Sequence, residues 1–225
     1  MGTFYGNVLV ARPCQEVVPL LSEETAAGRP AIRGYALAVG PRHTVIHPAE
    51  ETEALTLAEA VSRRLSVPTL GMYVFDSDVL VMQVYDDGEL RHIYDSWPGY
   101  FSAERPAEPW ADPARTAPAW PEPLGAAPTA LLPFAAAPVD IPALESVLRC
   151  VPLAREDGKD GRYVFADAQH YDVMALLGLS APRLNTGYGA LSQGYLPPGT
   201  ALTELWLLGG ATFWAGGAPA GASGV

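Results

Sequence analysis

LGMYVFDSDVLVMQVYDDGELRHIYDSWPGYF, residues 70–101, decides the fold class. Three apolar runs, Leu70–Phe75, Val79–Tyr85 and Leu90–Tyr94, are separated by Asp76-Ser77-Asp78 and by Asp86-Asp87-Gly88-Glu89. Short apolar runs bounded by Asp, Ser and Gly read as a tight antiparallel meander. Asp87-Gly88 supplies the positive φ that a hairpin turn demands. The meander fixes an architecture and names no reaction.

Upstream, Thr3–Ala11 (TFYGNVLVA) reads as a first strand. Pro13–Glu24 is a short helix, with Pro13 in its first turn and Val17, Val18, Leu20 and Leu21 apolar. Pro19 inside that stretch shortens the helix or delays its start. Gly34–Val39 and Thr44–His47 form a hairpin around residues 40–43, with Tyr35, Leu37 and Val39 on one face. The clearest helix is Thr52–Leu65. Thr52 stands at its cap, and Leu55, Ala58, Val61 and Leu65 form a stripe at helical spacing. Arg63 and Arg64 sit where they offset the helix dipole. The order β-α-β-β-α-β-β-β predicts an α+β fold for residues 1–101. It is an antiparallel sheet with helices on one face, a ferredoxin-like unit with extra strands.

Ten of the 22 prolines fall between Pro106 and Pro142. Residues 102–140 therefore read as a Pro/Ala-rich connector unable to hold a helix or central strand. Its Trp110, Trp120, Leu131, Leu132 and Phe134 predict a segment pinned across the surface rather than a free linker. Residues 141–215 read as a smaller C-terminal α+β unit, and residues 216–225 as a flexible tail. Within that unit Ile141–Cys150 is a helix with Leu144, Val147 and Leu148 inward. Residues 157–161 (DGKDG) are a turn before a strand over Arg162–Phe165. Asp167 caps a helix to Leu177, with Val173, Met174, Leu176 and Leu177 inward and Gly178 ending it. Leu202–Leu208 reads as a strand.

Hydrophobic residues make up 49% of the 225 and charged residues 17%, a globular composition. The net charge is −11, and 13 of the 14 basic residues are Arg, with Lys159 the only lysine. That pattern, rich in Ala, Gly, Pro and Arg, suits a bacterium with a GC-rich genome. Without a basic cluster the chain is not expected to bind nucleic acid or an anionic membrane. An acidic surface suits a basic protein partner and equally suits plain solubility. Cys14 and Cys150 lie in apolar helical patterns and read as buried free thiols. No basic leader precedes Phe4–Ala11, and no run approaches about 18 apolar residues, so a cytoplasmic location is expected.

Six acidic residues, Asp76, Asp78, Asp86, Asp87, Glu89 and Asp95, fall within twenty positions. The two turn pairs lie at opposite ends of one strand, roughly 25 Å apart at ~3.3 Å per residue, too far for one metal site. Turn preference accounts for these residues. Asp76 and Asp78, at i,i+2 in extended chain, would point to one side and suit a cation or guanidinium. His43 and His47 have H-x-x-x-H spacing on a hairpin without a glutamate between them, so the zincin pattern is absent and no metal is expected. His92 and His170 lie on separate elements. Gly187–Gly194 (GYGALSQG), which contains Tyr188, fits no phosphate-loop spacing and reads as a turn. No G-x-S-x-G elbow, EF-hand or cofactor motif occurs, so no cofactor is expected. The loop YDSWPGYF, residues 94–101, carries Trp97 and Tyr100, which either cover a core edge or anchor a partner.

Two stretches resemble a bacterial family of uncharacterised proteins. One is D-S-D-V-L…Y-D-D-G-E-L…Y-D-S-W-P-G-Y-F within Asp76–Phe101. The other is D-A-Q-H-Y…L-L-G-L…G-Y-G…G-Y-L-P within Asp167–Pro197. The resemblance implies that both units serve one function, and it transfers no activity or catalytic residue.

The first functional expectation is a non-enzymatic acidic protein that binds a basic partner, immunity-like or regulatory, through Asp76, Asp78, Asp95, Trp97 and Tyr100. The alternative is a small-molecule enzyme or sensor with a pocket between the two units, lined by His92, Asp95, Trp97, His170 and Tyr188. A ligand role for the proline-rich segment comes last, because no clean P-x-x-P with flanking arginine occurs.

Overall fold

The computed structural model describes residues 2–26, 32–102, 120–154, 156 and 158–209. Trp110, Asp157, Phe213, Trp214 and the expected tail lie outside the described residues.

The expected element order is present. Strand β1 (Tyr5–Val10) is followed by α1 (Cys14–Ala26), β2 (Gly34–Gly40), β3 (His43–Pro48), α2 (Ala54–Leu65), β4 (Thr69–Phe75), β5 (Val79–Asp86) and β6 (Glu89–Asp95). With a late strand β9 (Trp206–Leu208) they build a seven-stranded sheet in the order β6-β5-β4-β1-β3-β2-β9. Every pairing is antiparallel. The inner order β4-β1-β3-β2 is that of a split β-α-β fold. β5 and β6 extend one edge and β9 the other.

Alternation along β1 sorts its side chains by face. Val8 and Val10 join Ala36, Ile46 and Leu208 beneath α1 and α2. Tyr5 and Leu9 join Tyr35, Leu37, Val45, Leu70, Met72, Leu80 and Met82 on the opposite face. α1 and α2 thus cover one face together. Gly71 and Gly6 permit the close approach of α2, since a Cβ on Gly71 would lie 2.9 Å from that of Ala58.

The second face is covered by later chain. A 3-10 turn (Pro128–Phe134) and α3 (Ile141–Leu148) are followed by the two-residue strands β7 (Gly158–Lys159) and β8 (Arg162–Tyr163). Then come α4 (Ala166–Leu176), α5 (Ala181–Leu184) and α6 (Tyr188–Ser192). Phe134, Leu144, Val147, Val173, Met174 and Leu184 share one apolar cluster with the sheet residues. The segments before and after the connector therefore share one core, and the central strands of the sheet are buried on both faces.

Several local expectations are corrected. α1 runs through Pro19, whose side is exposed, so only one ladder bond is forgone there. Thr52 does not cap α2: a 3-10 turn, Glu51–Glu53, leads into it. Asp167 lies in the first turn of α4, whose N-cap is Phe165, without a capping bond. The proline-rich segment does hold a helix, the 3-10 turn with Pro128 at its start. The strand expected over Arg162–Phe165 covers only Arg162–Tyr163, and Leu202–Glu204 is a 3-10 turn before β9. Residues 187–194 contain α6 rather than a β-turn.

Candidate functional site

The meander turns are built as their sequence implies. Asp87 and Gly88 take φ of 51° and 75° between β5 and β6. At the other end of β5, Asp76 and Ser77 are also left-handed, with φ of 52° and 57°. The chain there is a tight turn, not the extended stretch expected, so Asp76 and Asp78 are not an i,i+2 carboxylate pair on one side of a strand. Ser77 is buried and stitches the turn to its surroundings. Its Oγ accepts from the Thr3 N–H at 2.7 Å, and its carbonyl accepts from the Ala166 N–H at 2.7 Å. Asp78 Oδ2 accepts from the Tyr100 hydroxyl at 2.8 Å.

The aromatic loop after β6 folds inward. Asp95 Oδ1 accepts from the Trp97 backbone N–H at 2.8 Å, and burial pushes the Asp95 carboxyl pKa up. Trp97 and Tyr100 retain 5% and 6% exposure and pack with Val79 and Phe75. They cover a core edge, which removes the two rings from an exposed partner-binding patch. The connector meets this edge where Trp120 packs edge-to-face on Trp97, ring centroids 4.7 Å apart. Leu124 adds a single bridge to Asp95 on the β6 edge.

Between this loop and the C-terminal layer lies a cavity of about 570 Å³. Its apolar walls are Trp97, Trp120, Pro121, Val164 and Phe165. Cys150, Gln169 and Ser96 line it from the seam between sheet and cover. Gln169 Nε2 donates to the Val147 carbonyl and to the Tyr94 hydroxyl, both at 2.7 Å, and the Tyr94 hydroxyl lies 3.0 Å from the Leu148 carbonyl. Burial and the neighbouring Cys150 thiol raise the Tyr94 pKa well above its ordinary value, so the phenol stays neutral. Charged groups come from the β7–β8 hairpin, as Lys159, Asp160 and Arg162, and from Asp78. The hairpin turn is Asp160-Gly161, with φ of 55° and 77°, the geometry that a two-residue loop requires.

The residues expected to share one pocket are dispersed. His92 bonds the Gly125 carbonyl on the β6 edge at 2.8 Å. His170 lies under the sheet centre, its Nδ1 2.7 Å from the Tyr5 hydroxyl and its Nε2 3.2 Å from Met72 Sδ. A thioether only accepts, which assigns the proton to Nε2 and makes the Tyr5 hydroxyl the donor to Nδ1. Tyr188 stacks on Tyr35 with ring centroids 5.0 Å apart. Of that set only Trp97 lines the cavity. His43 and His47 sit on β3. His47 Nδ1 donates to Asn7 Oδ1 at 2.8 Å, while Asn7 Nδ2 donates to the Leu184 and Thr186 carbonyls. Among the described residues no group of three or more His, Cys, Asp or Glu is placed to hold a metal ion.

Sequence reasoning missed Lys159, Arg162, Trp120, Cys150 and Gln169 as site residues. Two signals were present: Lys159 as the only lysine, and a tryptophan held inside a proline-rich run. Among the described residues no helix is long and apolar enough to cross a membrane. Comparison with protein-family models, with curated proteins and with solved structures returns no match.

Proposed function

We propose that the chain is a small-molecule binding protein and that the cavity beside Trp97 is its ligand site. The observation that carries this reading is the cavity itself. It has the volume of ordinary ligand sites, roughly 300–1,000 Å³, with mainly apolar walls and a few polar groups. Among the described residues no histidine lines it, and Cys150 has no base beside it, so the reading is binding rather than catalysis. The two buried free cysteines suit a reducing compartment, which supports the cytoplasm as its place of action. A net charge of −11 argues against nucleic acid as the ligand.

Ligand-observed NMR with a fragment library tests the reading. Hits should compete with one another and be lost in Val164→Trp, which narrows the cavity from a wall residue that is 46% exposed and so tolerates a larger side chain. A blank screen, or hits indifferent to Val164→Trp and to Trp120→Ala, would overturn it.

A second reading, an acidic protein that binds a basic protein, keeps one observation in its favour, the net charge. Affinity capture from a native lysate, with Asp76→Lys and Asp78→Lys as controls, tests it. A stoichiometric basic partner lost in both variants supports it, and a partner retained in both sinks the Asp76–Tyr100 surface.

A further inference from the structure

We infer that the ligand is a flat aromatic or heteroaromatic molecule carrying an anionic group, gripped between Lys159 and Arg162. The inference rests on reading the cavity as a ligand site.

The key observation is a register. In the β7–β8 hairpin, Lys159 pairs directly with Arg162 across the two-residue turn. Directly opposed residues of an antiparallel pair put their side chains on the same face, about 4.5–5.5 Å apart at Cβ, and like charges there are destabilising. A chain with 14 basic residues in 225 places its only lysine opposite an arginine, and both line the cavity. Neither forms an ion pair among the described residues. Among the described residues the two nearby carboxylates form no ion pair with either cation. Asp160 occupies the first left-handed position of the turn, and Asp78 accepts from Tyr100. An anion between the two cations would relieve their repulsion.

Arg162 is oriented for this. Its Nη2 donates to the Pro121 carbonyl at 3.2 Å, and its guanidinium lies 5.9 Å from the centroid of the Trp120 ring. The remaining N–H groups of its fork suit a planar anion. The Trp97 indole N–H is buried and lacks an acceptor among the described residues, a further donor at the cavity wall. Trp97, Trp120 and Phe165, the last 56% exposed, offer ring surface to an apolar flat body.

Three probes share one ring system and differ in charge: 2-naphthoate, 2-naphthamide and 2-naphthylmethylammonium. Calorimetric titration should find 2-naphthoate about tenfold tighter than 2-naphthamide, since charge-assisted hydrogen bonds are roughly twice as strong as neutral ones. Lys159→Gln and Arg162→Gln should each weaken 2-naphthoate about five- to tenfold and leave 2-naphthamide unchanged. Bound 2-naphthoate should also slow acylation of Lys159, read on its tryptic peptide by mass spectrometry. Equal or reversed ranking of the probes, or no effect of Lys159→Gln, would overturn the anionic class. If no naphthyl probe binds while the fragment screen still gives hits lost in Val164→Trp, the class falls and the cavity stands. If both are blank, the cavity reading falls with it.

Discussion

The two faces of the sheet are closed by different means. The α1/α2 face is sealed by chain from the same β-α-β-β-α-β run that makes the sheet. Its cluster is aliphatic apart from Cys14 and Tyr85. The other face is sealed by elements from the 3-10 turn at Pro128 through α6, and polar side chains cross that seam. Tyr5 reaches His170, Asn7 reaches the carbonyls of Leu184 and Thr186, and Tyr94 reaches Gln169 and Leu148. Apolar contact is non-directional and tolerates sliding, whereas a buried polar group left unpaired costs about 1–3 kcal/mol. One layer is held on by area. The other is also held in place, because a shift of α4 or α5 would unpair the Tyr5, Asn7 and Tyr94 bonds. The cavity lies along this second seam, where fixed placement matters.

The largest test asks whether the two layers melt together. Phe134 is fully buried under the second face, and Phe134→Ala should cost about 3–5 kcal/mol. Leu21, 3% exposed under the first face, should cost about 2–5 kcal/mol as Leu21→Ala. Because one sheet is the floor of both clusters, both variants should lower a single urea transition. Two transitions, only one shifted by Phe134→Ala, would split the molecule into separately folding layers and end the comparison.

The second test uses pH, since the buried histidines belong to one face only. Burial pushes His170 down to about 3 and His47 to about 4. An unfolded histidine titrates near 6.5, so below about pH 6.5 the unfolded chain takes up protons that the folded chain refuses. Stability is therefore whole above about pH 6.5 and is lost as pH falls, by about 1.4 kcal/mol per pH unit for each histidine. Urea titrations at pH 7 and pH 5 measure the loss. His170→Leu should be less stable at pH 7, yet its loss between pH 7 and pH 5 should be smaller by about 2 kcal/mol. An unchanged loss would remove histidine from the account.

A milder contrast sets polar against apolar at matched burial. Gln169→Leu removes the donor to the Val147 carbonyl and to Tyr94, and should cost about 1–3 kcal/mol. Leu65→Met conserves volume on the buried stripe of α2 and should cost less than about 1.5 kcal/mol. Equal costs in thermal melts would mean that the polar seam contributes no more than packing.

The sheet and its first cover were legible because their signals are local. The stripe Ala58, Val61, Leu65, the alternation Tyr35, Leu37, Val39 and the Asp87-Gly88 turn each lie within a few residues. The second face was not, because its bonds join residues far apart in sequence. Tyr5 and His170 are separated by 165 positions, and neither carries any mark of the other. The connector shows a subtler miss. Pro128, Leu131 and Phe134 recur every three residues, the period of a 3-10 helix, and all three are buried. Reading Pro as a breaker hid that spacing. The site lay between these cases. Asp160-Gly161 as a two-residue turn implies the pairing of Lys159 with Arg162, but nothing in the sequence says that Trp97 faces them.

The smallest test concerns helix starts, one on each face. The sequence reading places Thr52 at the cap of α2 and passes over Asp140, an equally good cap residue ahead of α3. In the fold the preferences reverse. Thr52 lies inside the lead-in turn of α2 and caps nothing, while Asp140 accepts from the Ala143 N–H at 3.1 Å at the start of α3. Glu51 of the lead-in turn also reaches the second layer, its Oε1 accepting from the Gly189 N–H at 3.2 Å. Asp140→Ala should cost about 1 kcal/mol and Thr52→Ala less than about 0.5 kcal/mol in urea titration. Glu51→Gln keeps an acceptor for Gly189 and should stay near the wild type, whereas Glu51→Ala should cost at most about 0.5–1.5 kcal/mol, the net worth of one exposed hydrogen bond. A larger cost for Thr52→Ala than for Asp140→Ala would restore the cap read from the sequence.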